Sequence, residues 1–190
     1  MNKIDTPPLQ IKIDKDTELR LLSEDDAQPL FELIEQNLLH LRTWLPWLDF
    51  TSSVEDERAF ILRTRAQAAE NKSFSFSIWY KGQAAGTIGY HEIDWMNRKV
   101  EIGYWLGAQF QGKGLMTRAC KALVAYAFEE LQLNKVEIRC ATGNTRSCAI
   151  PQRLGFTREG VIRQAEWLYD HFVDLILYGL LASEWQREKT

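Results

Sequence analysis

Apolar and polar positions alternate along residues 9–22, "LQIKIDKDTELRLL", and the alternation breaks at Asp14-Lys15-Asp16. A period of two interrupted by a polar turn predicts a β-hairpin. The next segment, "SEDDAQPLFELIEQN", opens with a hydroxyl N-cap candidate, Ser23, followed by carboxylates at the positive end of a helix dipole, and predicts a helix. Within "LHLRTWLPWLDF", Pro46 breaks any helix, and Trp44 and Trp47 flank it. A capping-box-like Ser52…Glu55 then starts a second long helix over "SSVEDERAFILRTRAQAAEN".

Strands are predicted at 73–80, 84–93 and 99–106, with short turns at Lys81-Gly82-Gln83 and around Met96-Asn97, giving an antiparallel meander. From Gly112 to Leu131 the apolar positions 116, 119, 120, 123, 127 and 131 fall on one helical face. "KVEIRCA" (135–141) predicts a strand, 144–155 a short helix stopped by Gly155, and 156–166 and 171–181 two closing strands. No repeat or low-complexity tract interrupts the order. The expectation is one α/β domain with a mixed (α+β) sheet over 9–182, a flexible N-terminus at 1–8 and a tail at 183–190.

Composition narrows the function without choosing it. The chain has 190 residues, 45% apolar and 26% charged, ordinary globular values. A net charge of −3 argues against a protein that coats nucleic acid, whose footprint is basic, and leaves a basic protein open as a substrate. The N-terminal segment lacks the apolar core of a secretory leader, and no apolar run approaches the roughly 18 residues of a membrane span. No membrane partner is therefore expected. Cys120, Cys140 and Cys148 form no CxxC pair and are expected as reduced thiols in the cytosol. His40, His91 and His171 are too far apart for a local metal motif, so no metal is expected.

The candidate chemistry begins at "QFQGKGLMTRAC", residues 109–120, where Gly112 and Gly114 sit between a strand and a helix start. Unpaired amides and the positive end of the helix dipole suit an anion there, and glycines permit close approach with positive φ. A plain helix start behind a glycine turn remains open on these residues alone. Gly107 to Lys113 spells G-x-x-x-x-G-K, but Gly114 stands where a nucleoside-triphosphate loop needs Ser or Thr for magnesium. A dinucleotide G-x-G-x-x-G meets Thr117 at its sixth position, and the downstream acid, Glu137, lies inside the next strand.

Gln109-x-x-Gly112-x-Gly114 resembles the pyrophosphate loop of the Gcn5-related N-acetyltransferases (GNAT). "NTRSCAIPQRLGF" (144–156) looks like that family's helix after its fifth strand, and the element order matches from about residue 9 to 182. "NLLHLRTWLPW", "NRKVEIGYWL" and "EWLYDHFVDLILYGLL" resemble the branch that acetylates N-termini of ribosomal proteins. The resemblance implies a GNAT fold, its mostly antiparallel sheet splayed between the family's strands four and five (here 99–106 and 135–141). It also implies acetyl-CoA as the donor, transferred directly to a primary amine, with a protein or peptide N-terminus as acceptor, in the cytoplasm. A homodimer is a further expectation.

On that resemblance the pyrophosphate lies on the amides of Gln111, Gly112, Lys113, Gly114, Leu115 and Met116, with Thr117 beside them. The pantetheine arm pairs with the edge of Tyr104, Trp105 and Leu106, and with Asn144. Many family members place a tyrosine acid at the position of Pro151, which has no proton to give; Ser147 resembles the branch's serine near the sulfur. Glu166, before Trp167, matches the branch's general base, and an apolar neighbour such as Trp167 would raise its pKa. Backbone N–H groups near Trp105 and Leu106 are expected to meet the oxyanion. Arg42, Trp44, Trp47, His91 and Trp167 are candidates for the acceptor wall. Cys148 as an acyl nucleophile has no nearby histidine in sequence to support it. Two other readings share much of this pattern: an acetyltransferase for small amines such as an aminoglycoside, polyamine or amino acid, and a non-catalytic CoA- or nucleotide-sensing module.

Overall fold

The alternating segments become the strands of one eight-stranded sheet, ordered β1-β2-β3-β4-β5-β6-β8-β7 in the computed structural model, which describes residues 7–187. The strands are β1 Gln10–Lys12, β2 Thr17–Leu21, β3 Phe74–Tyr80, β4 Gln83–Tyr90, β5 Lys99–Leu106, β6 Lys135–Ala141, β7 Thr157–Leu168 and β8 His171–Leu181. Helices α1 Ala27–Gln36, α2 Leu38–Arg42 and α3 Val54–Ala69 lie between β2 and β3. Helix α4 Leu115–Glu129 connects β5 to β6, α5 Thr145–Arg153 connects β6 to β7, and α6 Ala182–Arg187 follows β8. All neighbouring strands are antiparallel except β5 and β6, the parallel pair that the α4 crossover requires.

That parallel pair is short. Lys99, Val100 and Glu101 pair with Lys135, Val136 and Glu137, and beyond them the strands diverge. The sheet therefore opens beside Ile102–Leu106, as expected of a GNAT fold. Glu101 accepts from the His91 N–H and Gly107 donates to Ala85, both on the β4 side. By the alternation of a ladder, the Ile102 N–H makes the last bond to β6, at the Glu137 carbonyl, and Tyr104 and Leu106 turn their N–H and C=O groups toward the opening. The core joins sheet and helices through Phe74, Phe76, Ile88, Ile102, Leu123 and Ile138, all fully or nearly fully buried.

Local departures from the pattern each have a cause. The strand expected to run to residue 93 ends at Tyr90: the Ile93 N–H bonds the Lys72 carbonyl, which interrupts the ladder, and the chain meets β5 again only at an isolated Asp94–Lys99 bridge. Helix α2 was not signalled; it restarts after Asn37, whose side chain donates to the Leu33 carbonyl and accepts from the Ala108 N–H. The N-cap of α3 is Ser53, one residue later than Ser52, since the Asp56 carboxylate takes the hydroxyls of both serines. The segment expected as a tail carries α6, whose Trp185 is buried against Phe128. Residues 1–6 and 188–190 of the expected termini lie outside the described residues, and Pro7 is buried. Among the described residues no helix is long and apolar enough to cross a membrane.

Candidate active site

The opening between β5 and β6 continues into a cleft of about 800 Å³. Its walls bring together Trp44, Trp47, His91, Tyr104, Trp105, Asn144, Ser147 and Glu166. The two half-buried tryptophans belong to the cleft wall rather than to the core alone. Trp47 packs tilted on Trp105, and Trp44 lies over Gly143 at the entry to α5. His91 crosses Gly103 so closely that a Cβ there would fall 2.4 Å from its Nε2.

Ser147 sits in the first turn of α5, where the Asn144 Oδ1 caps its N–H at 3.1 Å. That bond leaves the Asn144 amide NH₂ for a ligand. The Ser147 hydroxyl lies 3.1 Å from the Tyr104 hydroxyl and donates to the Cys140 sulfur at 3.2 Å. Tyr104 also donates to the Ser147 carbonyl at 3.3 Å. Pro151 makes this contact possible: it stands four residues on in the helix and lacks the N–H that would otherwise hold the Ser147 carbonyl. The proline that removes the family's tyrosine from α5 thus frees an acceptor for a tyrosine from β5. The sequence marked Tyr104 only for its backbone, and its hydroxyl was missed. Burial raises the Tyr104 phenol well above its ordinary range, so it stays protonated. Burial likewise pushes the Cys140 thiol up to about 12, which makes it a packing neighbour and not a nucleophile. Cys148 is buried, its sulfur 3.7 Å from the Ala141 carbonyl.

Glu166 reaches the cleft from a bulge in β7. Ile162 pairs with Leu175 and Glu166 with Val173, so residues 163–165 bow out opposite Asp174. Gln164, at φ +48°, donates its N–H to the Asp174 carboxylate at 2.7 Å, which fixes the bulge. Bulges of this kind re-aim a side chain and increase local twist. Burial, and then the negative charge of Glu101, raise the Glu166 pKa. Trp167 is not the cause: it is half-exposed and stacks edge-on against Phe172, outside the cleft lining. Glu101 is itself held by Arg139 at 3.2 Å and faces His91 at 3.7 Å.

Arg42 does not join the cleft either. It pairs with Asp49 and lies 3.6 Å over the Tyr169 ring, whose hydroxyl bonds the Leu45 carbonyl. Arg42 and Tyr169 form a latch between the β7–β8 turn and the segment carrying Trp44 and Trp47. Of the two amides expected at an oxyanion, the Trp105 N–H belongs to the ladder with β4, and the Leu106 N–H faces the opening.

The glycine loop lies at the other end of the opening. Gly112 and Gly114 take φ +73° and +68°, conformations that other residues adopt at a cost. Gly114 is the N-cap of α4 and offers no side-chain cap, so the N–H groups of Leu115, Met116 and Thr117 have no acceptor within the helix. The side chains of Leu115 and Met116 are buried in the core, and the Thr117 hydroxyl accepts from Arg153 at 3.1 Å. Lys113, Arg118, Arg146 and Arg153 surround the loop. Lys113 donates to Gln109, Arg118 to the Lys113 carbonyl, and Arg146 to Gln111, which also bonds His40. Only Lys113 of these cations was singled out by the sequence, because the arginines converge from two helices. Open amides, positive-φ glycines and cations together fit the pyrophosphate of a CoA donor. The unpaired edge of β5 fits its strand-like arm.

Comparison with known proteins gives the same picture. A family model described as an acetyltransferase (GNAT) domain matches residues 16–157. The Bacillus subtilis (strain 168) protein YdaF, provisionally named a ribosomal N-acetyltransferase, is 42% identical over 179 residues, 94% of this chain and 98% of its own. The Escherichia coli (strain K12) ribosomal-protein-serine acetyltransferase is 32% identical over 169 residues, 89% of this chain and 94% of its own. The structure of RimL, a ribosomal L7/L12 α-N-protein acetyltransferase in complex with coenzyme A, superposes with TM-score 0.88 at 27% identity, covering 92% of this chain and 99% of that one.

Proposed function

The chain belongs to the GNAT acetyltransferase family and is an acetyl-CoA-dependent N-acetyltransferase; from that premise we propose that it acetylates the N-terminal α-amine of a protein, a ribosomal protein being the acceptor class, in the cytoplasm. The observation that carries this reading is the convergence of Ser147 and Glu166 on one cleft lined by the open edge of β5. The α-amine is favoured over lysine on physical grounds. An unperturbed α-amine titrates at about 7.7–8.0 and a lysine at about 10.4, so the α-amine is easier to deprotonate by about 3.4 kcal/mol. A single glutamate with a modestly raised pKa is then a sufficient base.

Acetyl-CoA supplies an activated acetyl thioester. The amides of residues 112–117 hold its pyrophosphate, the Gln111 N–H expected among them being taken by the Ala108 carbonyl, and Tyr104, Leu106 and Asn144 orient the pantetheine arm. Glu166 takes the proton of the acceptor amine, directly or through one water. The Leu106 N–H stabilises the charge that develops on the carbonyl oxygen. Ser147 holds a proton at Oγ for the departing sulfur, and Tyr104 keeps that hydroxyl in place from behind. Trp44, Trp47 and His91 form the acceptor wall.

Incubation with labelled acetyl-CoA and dissociated ribosomal proteins, followed by mass spectrometry of N-termini, tests the acceptor. Label on an α-amine is expected; label confined to small amines or lysines would overturn the reading. Ser147→Ala should lower kcat and kcat/KM together by about 10–100-fold, the loss of one hydrogen bond to a charged group, with CoA affinity retained. Tyr104→Phe should produce a smaller loss in the same direction. An unchanged kcat with weaker CoA binding would make Ser147 a ligand of the donor instead.

A further inference from the structure

Helix α3 turns a buried stripe inward through Glu57, Ile61, Thr64 and Ala68. Glu57 is the first member of that stripe and only 4% exposed, yet it lines the cleft. Among the described residues no hydrogen bond or ion pair to its carboxylate is found. Of the cations that line the cleft, Arg139 holds Glu101 and Lys72 pairs with Glu70, while Arg63, on the exposed face of the same helix, makes no ion pair with Glu57. Buried carboxylates are ordinarily paired, because an uncompensated charge costs several kcal/mol. Burial alone holds the Glu57 pKa up at about 7, where a nearby cation would restore full ionisation. Glu57 and Glu166 come from elements far apart in the sheet order, α3 against β3 and β7 at the opposite edge. One carboxylate is at the reacting amine; the other has no task in the transfer.

We propose that Glu57 is a specificity-determining residue, whose carboxylate pairs with a second cationic group that the acceptor carries a short distance from the amine being acetylated. The inference rests on the amine-acetyltransferase reading above, and on a protein acceptor it means a lysine or arginine within the first few residues. The same chemistry is offered by the distal ammonium of a polyamine, which the test includes as a separate arm.

The experiment compares wild type with Glu57→Gln at saturating acetyl-CoA. The acceptors are short peptides carrying lysine or uncharged norleucine at positions two to four, and spermidine. Wild type should prefer a lysine peptide by about 30-fold or more in kcat/KM, the loss expected when one partner of a desolvated charge pair is removed. The preference should lie in KM, with kcat held, and should disappear in Glu57→Gln. The variant should melt at the same or a higher temperature, since an unpaired buried carboxylate has been neutralised. A lower melting temperature with KM unchanged would make Glu57 structural and overturn the proposal, as would a wild type indifferent to lysine and norleucine. Acetylation of spermidine but no peptide, with KM raised in the variant, would sink the protein-acceptor reading and leave the Glu57 assignment standing. If neither peptide nor spermidine is acetylated, both fall.

Discussion

Glu166→Gln should lower kcat/KM by about 10²–10⁴-fold, the range for loss of a positioned general base, or about 3–5 kcal/mol of transition-state stabilisation. Glutamine keeps the size of the side chain and the bulge that presents it, so melting temperature and CoA affinity should change little. The pH profile separates this from a packing defect. Burial and the charge of Glu101 raise the Glu166 pKa, so the protonated, inactive form persists to higher pH than for an ordinary glutamate. In wild type, kcat/KM should rise with pH as Glu166 and the acceptor amine each lose a proton. In the glutamine variant the enzyme's own limb should vanish, and the residual rate should follow the free amine. Wild-type turnover at saturating acceptor in the variant would return the base to water or to another carboxylate of the cleft, with Glu101 or Glu92 next to test.

Gly114→Val should abolish CoA binding. At φ +68° a β-branched residue is strained by roughly 1–3 kcal/mol, and its Cβ would stand 3.1 Å from the Arg118 guanidinium. Relieving either problem moves the amides of the first turn of α4 and displaces one of the cations around them. For wild type, CoA at 100 times its dissociation constant should stabilise the fold by about 2.7 kcal/mol, read as a melting shift. The variant should show none. A shift with Mg-ATP and none with CoA would identify the loop as a nucleotide site. Gly112 offers the contrast: its φ of +73° strains any replacement, but a Cβ there meets nothing within 4 Å. Gly112→Ala should therefore weaken binding less than Gly114→Val.

The strands and long helices were legible because their periodicity is dictated by one sheet with a single core. The glycine loop, Ser147 and Glu166 were legible because each stands in a motif of local sequence. What escaped depends on contacts distant in sequence. The Tyr104 hydroxyl meets Ser147 across 43 residues, and nothing near Tyr104 signals it. Arg42 and Trp167 looked like acceptor contacts beside their motifs, but a turn that folds back over Leu45 and a stacked Phe172 claim them. Glu57 was legible in principle. It occupies the phase of Ile61, Thr64 and Ala68, and a carboxylate in the buried stripe of a helix is the signal.

The three-pair seam between β5 and β6 divides the sheet into an antiparallel block of β1 to β5 and another of β6 to β8. Few hydrogen bonds resist their separation, so the blocks should behave as two cooperative units that breathe against each other. On the proposed reading, an extended donor arm lying along β5 would take the place of a missing strand. In hydrogen–deuterium exchange the amides of Tyr104 and Leu106 should exchange quickly in the free enzyme and slow sharply with CoA. Those of Gly103 and Trp105, already bonded to β4, should be protected throughout. Ligand binding then links two units into one, and the donor is as much a stave of the fold as a reagent.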